Sequence, residues 1–344
     1  MATRLGRKAL GLALFAALIA GCNGAEKSTS VLPQGTINNR GTARWMTGKS
    51  WMLPEAKHED LLYTSDDEAG VLVYSYPRLT LVGQLSGFGT VATEGLCVDN
   101  KGDIFVPSGL SNENGYVYEF SHGGISPIAT LDDPGWGAGC SVDPRTGNLA
   151  VANYFSPNDP PYYHGDIAIY ADAKGTPTTY TSPYIYWYWW AAYDDKGDLF
   201  VDGNGYGASG FPLAELPAGG TTFDDITLDK IIDVFSLQWN KRHLIISGGE
   251  GAPDVLNIYR VAVSGTKGTI VGTTSLRTHK VGYDGNGQFW IQGNRIIGAG
   301  RNHLVLDLWR YPSGGSVLRK IAKHFSPWGV VVSIAQGKNK RIKR

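Results

Sequence analysis

The densest chemical signal in the chain is Tyr184-Ile-Tyr-Trp-Tyr-Trp-Trp190, six aromatic rings in seven residues. Flat rings with polar edges suit sugar rings, aromatic ligands or a partner protein. Trp136, Tyr154, Phe155, Tyr162, Tyr163, Tyr206, Phe211 and Trp328 fall in loops predicted on the same face. Trp136, Tyr162, Tyr163, Trp187, Trp189, Trp190, Tyr206 and Trp328 are therefore the candidate ligand-binding residues. Period-two alternation offers a second reading, in which Tyr184, Tyr186 and Tyr188 turn inward along a strand as core.

Groups that could do covalent or acid–base work are sparse. His164, His279, His303 and His324, four of the seven histidines, fall on the aromatic face without HExxH or HxH spacing. A histidine at a rim is more often a hydrogen-bond partner than a ligand. There is no GxSxG, no P-loop and no dinucleotide fingerprint. Gly282-Tyr-Asp-Gly-Asn-Gly287 reads as a turn between strands, because phosphate-cradling glycines need a following helix. No catalytic residue is assigned and no cofactor is expected.

The first 22 residues address the chain. Arg4, Arg7 and Lys8 precede an apolar run, Ala9 to Ala20, too short to span a bilayer. The run closes on Ile19-Ala-Gly-Cys22, which resembles a bacterial lipobox: small residues admit a peptidase, and the Cys22 thiol is the nucleophile for lipid attachment. Several acyl chains, palmitate among them, add their burial energies into a firm anchor. Asn23 replaces the aspartate of an inner-membrane retention signal. The expectation is an exported lipoprotein on the outer membrane or the periplasmic face of the envelope, with 1–22 as signal and 23–50 as a Gly/Ser/Thr/Asn-rich tether.

Charge narrows the partners. Without the signal the chain has 28 basic and 31 acidic residues, a net of −3. The basic end 335–344 reads as a solvated tail, with membrane headgroups or envelope polymers as its electrostatic alternative, and its five charges leave the body near −8. No basic stripe interleaved with aromatics crosses the body, so nucleic acid is excluded as a partner. The partners left are the membrane, through Cys22, and a glycan, small molecule or envelope protein; the chain is expected to be a monomer.

Positioning comes from a repeat. Gly95-Leu-Cys-Val-Asp99 leads through a turn to Asp103-Ile-Phe-Val-Pro107; Gly139-Cys-Ser-Val-Asp143 leads to Asn148-Leu-Ala-Val-Ala152; Ala191-Ala-Tyr-Asp194 leads to Asp198-Leu-Phe-Val-Asp202. Each is a short strand, an Asp/Asn-Gly turn and a second strand. Third strands and glycine turns follow, and the period of about 44–52 residues is that of a four-stranded propeller blade. Six units fit within 51–334. The chain enters at Asp60-Leu-Leu-Tyr-Thr64, a second strand with no first, and leaves on Trp328-Gly-Val-Val-Val-Ser333, a first strand with no second. The expected fold is all-β, a six-bladed propeller whose C-terminal strand completes the N-terminal blade and removes two open edges. Cys97 and Cys140 then sit on first strands of adjacent blades, offset by one position. They are either a disulfide, which an oxidising compartment permits, or two buried small hydrophobes.

The segments GLCVDNKGDIFV, CSVDPRTGNLAV and AAYDDKGDLFV resemble NHL-type repeats and, more distantly, sugar-lactonase (gluconolactonase-like) propellers, over residues 60 to 333. The second resemblance implies a calcium-like divalent metal at the starts of the inner strands, with Glu94 as one ligand. The matching positions in later blades carry Ala138/Gly139, Trp190/Ala191, Phe235/Ser236 and Pro327/Trp328 instead of oxygen donors, so one carboxylate remains, with Asp202 and Asp284 as distant candidates. Three functions follow: a non-catalytic binding module with an aromatic channel mouth, a metal-dependent sugar-lactone hydrolase, or an envelope assembly scaffold.

Overall fold

A computed structural model describes residues 49–66, 70–88, 92–109, 113–160, 162–206, 212–249, 255–277, 287–300, 305–322 and 326–336. Cys22 with the expected signal, most of the expected tether, the charged end 337–344, Phe211, His279, Asp284, His303 and His324 lie outside them.

The described strands form six antiparallel units of four strands each, with one extra strand on blade 1. Blade 2 uses Ala92–Thr93 with Cys97–Val98, then Ile104–Gly109, Gly115–Phe120 and Ala129–Asp133. Blade 3 runs through Trp136–Val142, Leu149–Phe155, Ile167–Tyr170 and Thr178–Tyr180. Blade 4 follows with Ile185–Tyr193, Leu199–Gly205, Leu213–Leu216 and Asp224–Leu228. Blade 5 holds Asp233–Asn240, His243–Gly249, Val255–Ser264 and Lys267–Arg277. Blade 6 holds Phe289–Gln292, Arg295–Gly300, Val305–Arg310 and Gly314–Ala322. Blade 1 comes from both ends of the domain: Pro327–Ser333 pairs antiparallel with Leu61–Asp66, followed by Gly70–Ser75 and Leu81–Leu85, with Trp51–Met52 on the outer edge. This is the expected closure.

The turns explain why the repeat is legible. Asp99 Oδ1 accepts the Lys101 and Asp103 amides at 2.9 and 2.8 Å, and Asp194 Oδ1 does the same for Lys196 and Asp198 at 2.7 and 2.9 Å. Asp143 caps its turn through the Arg145 amide and the Thr146 hydroxyl. Each turn ends on a glycine with φ between 75° and 90° (Gly102, Gly147, Gly197), which a side chain would strain.

Packing closes the ring. Because strand side chains alternate, Leu61 and Tyr63 face blade 2 while Leu62 faces blade 6. Every adjacent pair of blades shares one apolar layer, six in all among the described residues. In the layer between blades 2 and 3, Cys97 and Cys140 are joined as a disulfide with Cα atoms 5.5 Å apart. The alternative of two separate buried thiols is thereby set aside: the offset of one position turns the two side chains toward each other across the shared layer.

Candidate functional site

The aromatic side chains gather over blades 3 and 4, where β-bulges decide which rings surface. The ladder of the first two strands of blade 4 is broken between Ile185 and Trp187 and again between Tyr188 and Trp190. Tyr186 and Trp189 are the inserted residues, so the period-two alternation expected of Tyr184, Tyr186 and Tyr188 fails. Tyr188 is fully buried, Tyr186 half-buried and Tyr184 exposed. Blade 3 is bulged at its matching end, and Tyr154 is left without a partner position between Asn153 and Phe155.

The bulged rings touch. Tyr154 lies 4.9 Å from Trp187 and 4.4 Å from Trp189, centroid to centroid, and 5.8 Å from Trp136. Phe155 extends the surface to Trp187 at 5.9 Å and to Tyr163 at 6.0 Å. Tyr186 continues it to Tyr206 at 5.2 Å, and His164 bridges Tyr206 and Tyr162 at 5.5 and 5.4 Å. His164 is held by Asp159, whose Oδ2 is 2.6 Å from Nδ1. Tyr162 and Tyr206 stand out at 69% and 59% exposure, while Trp136, Tyr163, Trp187 and Trp189 are half-buried. Trp189 is oriented by its indole N–H, which donates to Asn204 Oδ1 at 2.6 Å.

Two candidates leave the surface. Trp190 is 4% exposed and belongs to the layer between blades 4 and 5; it also reaches so close to Gly95 and Gly139 that a Cβ on either would collide with its ring. Trp328 is 5% exposed and stacks on Trp189 at 6.4 Å. Both are structural residues of the channel rather than open ligand contacts. With Gln288, which crosses from blade 6 to Leu96 of blade 2, they fill the channel on the aromatic side. The ring surface is therefore displaced from the channel axis onto blades 3 and 4.

Beneath the rings lie buried carboxylates that the sequence did not single out as a group. Asn153 donates from Nδ2 to Asp133 Oδ1 and Asp166 Oδ1 at 3.1 and 2.8 Å, and the Tyr170 hydroxyl donates to the same Asp133 oxygen at 3.2 Å. Burial pushes Asp133 up to about 7; Asn153 opposes this and the Asp166 charge adds to it. Asp202 accepts the Trp190 amide at 2.9 Å and is raised well above the carboxylate range by burial. These acids fasten bulged backbone under the rings.

Among the described residues the lactonase-like metal shell is not assembled. Glu94 is buried, and its charge, second to burial itself, raises the Tyr154 hydroxyl. Among the described residues no three His, Cys, Asp or Glu side chains group as metal ligands. Asp202 is engaged with Trp190. The described donors, Glu94 and Asp202, fall short of the six or more oxygens of a hard-cation shell.

No protein-family model and no curated protein matches the chain. Solved structures do. A chain of a nidogen/laminin complex superimposes with TM-score 0.59 at 10% identity, over 80% of this chain and 99% of that one. A chain of Kuenenia stuttgartiensis hydrazine synthase gives 0.53 at 13% identity, covering 80% of each. The Swd1 β-propeller domain of Myceliophteria thermophila gives 0.51 at 11% identity, over 83% and 89%. At these identities the likeness is one of fold: the chain is a β-propeller protein.

Proposed function

We propose that this propeller is a non-catalytic binding module, exported and lipid-anchored at Cys22, that holds a glycan, small molecule or envelope protein on the ring surface of blades 3 and 4. The observation that carries this reading is the unbroken run of ring contacts from Trp136 through Tyr154 and Trp187 to Tyr186 and Tyr206, with its outer rings open to solvent. Rings fixed by bulges and by Asn204 lose little freedom when a partner lands on them, so stacking is retained as affinity. That a similar fold was solved as a nidogen/laminin complex supports the use of such a ring in binding. The narrower NHL-type likeness rests on the Asp-capped turns of blades 2 to 4.

The test is a glycan array and crosslinking in envelope extracts, each run with wild type and with Trp187→Ala and Tyr206→Ala. Retention of a glycan or a single crosslinked partner by wild type, lost in both variants while each still unfolds cooperatively within a few degrees of wild type, supports the reading. Equal retention by all three proteins overturns it. The envelope-scaffold alternative corresponds to the crosslinking arm.

A further inference from the structure

The geometry points to a second ligand site in the opposite end of the central channel, shaped for a small organic amine with a flat apolar body. A cavity of about 580 Å³ opens there, among the turns that join first and second strands, a size typical of small-molecule sites. It does not run through the ring. The Leu96 and Val330 amides donate to Gln288 Oε1 at 3.1 and 2.8 Å, and Gln288 Nε2 donates to the Leu96 carbonyl at 2.8 Å. One side chain thus ties blades 6, 1 and 2 together and forms a fixed floor.

The walls are equally preset. Trp239 stacks on Phe200 with planes at 7° and centroids 6.1 Å apart, and Trp290 packs on the apolar layers of blade 1. Gln238 bonds both backbone groups of Ile291, at 2.7 and 3.3 Å, fixing blade 5 to blade 6. Tyr193 receives its backbone position from Ser141, whose hydroxyl accepts its amide at 2.9 Å. A site whose walls are held this way loses little entropy on binding.

Charge selects the ligand. Among the described residues no Lys, Arg or His lines the cavity, whereas Asp99 and Asp195 do. Asp99 spends one oxygen on its turn, and Lys101 reaches the other only at 3.9 Å. Asp195 is exposed. An anionic ligand would face two carboxylates, of which Asp99 alone has a described cation near it, Lys101. An ammonium group would meet carboxylate at the rim and aromatic wall inside, both attractive.

The probe is tyramine, compared with 4-ethylphenol and 3-(4-hydroxyphenyl)propionate, which keep the ring and change the charge. Titration by ligand-observed NMR and calorimetry should show saturable binding in the order amine, phenol, acid. Asp195→Lys should weaken tyramine by about fivefold or more, the scale of an exposed ion pair lost and reversed. Asn100→Trp, at the exposed rim, should block all probes, and Trp187→Ala on the other face should change none. Asp195 is exposed, so Asp195→Lys should keep the wild-type melting temperature; Asn100→Trp also removes the bond from Asn100 Nδ2 to the Pro144 carbonyl at 2.9 Å, and it should still unfold cooperatively. Absence of saturable binding, equal affinity for the acid, indifference to Asp195→Lys, or loss of tyramine binding in Trp187→Ala would each overturn the proposal. The glycan and crosslinking experiments above are unaffected by any of these results, so the two sites fail separately.

Discussion

Trp189 of blade 4 and Trp328 of blade 1 stack across the ring, centroids 6.4 Å apart and planes at 18°. Trp328 belongs to the strand that closes the propeller, so the ring surface and the closure share a contact. This relationship separates the tryptophans into two kinds and sets distinct outcomes for their loss.

Trp190→Ala should cost about 3–5 kcal/mol of folding stability, the scale for removing a buried large aromatic. Trp187→Ala, on the half-buried surface, should cost about 1 kcal/mol, as most substitutions do, and remove the ligand retention described above. Denaturant midpoints and binding measured on the same two variants check this. Equal destabilisation would show that Trp187 is core as well.

Ending the chain at residue 326 should abolish cooperative unfolding. Pro327–Ser333 supplies the inner strand of blade 1, and Val330, Val331 and Val332 are buried in two apolar layers. His122 adds to the closure, its Nδ1 lying 2.6 Å from Ser333 Oγ. Removing only residues 338–344 should leave the melting temperature unchanged. Calorimetry on both truncations distinguishes a ring closed by this strand from one that is not.

Reduction of Cys97–Cys140, or replacement of both by Ser, should lower stability by about 2–4 kcal/mol, the usual range for a native disulfide. The bond links neighbouring blades that are 43 residues apart in sequence. Melting with and without reductant is the measurement, and a melting temperature indifferent to reductant would deny the bond a role.

Stability should fall as pH rises through 7. Asp133 sits at about 7 when folded and near its ordinary value when unfolded. The folded state therefore holds the proton more tightly, and that stabilisation, complete below pH 4, is lost as pH climbs through 7. Between pH 5 and 8 the change should be about 2–3 kcal/mol from this group. The upward shifts of Asp166 and Asp202 act in the same direction. Urea midpoints for wild type and Asp133→Asn test it: the variant should show a shallower profile, and an identical slope would assign the effect elsewhere.

Cys22→Ser should release the protein from membranes, in unprocessed or mis-processed form, if the proposed lipid anchor is carried by the thiol of the Ile-Ala-Gly-Cys segment. Cell fractionation reads this out. Membrane association that survives the change would remove the lipoprotein assignment.

Much of the ring was legible in the residues themselves, for a local reason. An Asp-capped turn ending on glycine carries its own hydrogen bonds, so Asp99, Asp143 and Asp194 mark blades wherever they fall. Blades 5 and 6 replace that turn with Asn240-Lys-Arg-His243 and Gln292-Gly-Asn-Arg295, and there only the spacing remained as a guide. The unmatched strands at Asp60–Thr64 and Trp328–Ser333 pointed to closure because an open sheet edge needs a partner.

The sequence by itself determined the period, the turns and the supply of aromatic residues, since each depends on neighbours along the chain. Only the tertiary structure decided which rings face solvent. A bulge inserts one residue into a ladder and shifts the facing of those around it, and Tyr154, Tyr186 and Trp189 surfaced for that reason. The floor at Gln288 and the disulfide between blades 2 and 3 also needed the assembled ring, because their partners meet only when distant strands are brought together around one axis.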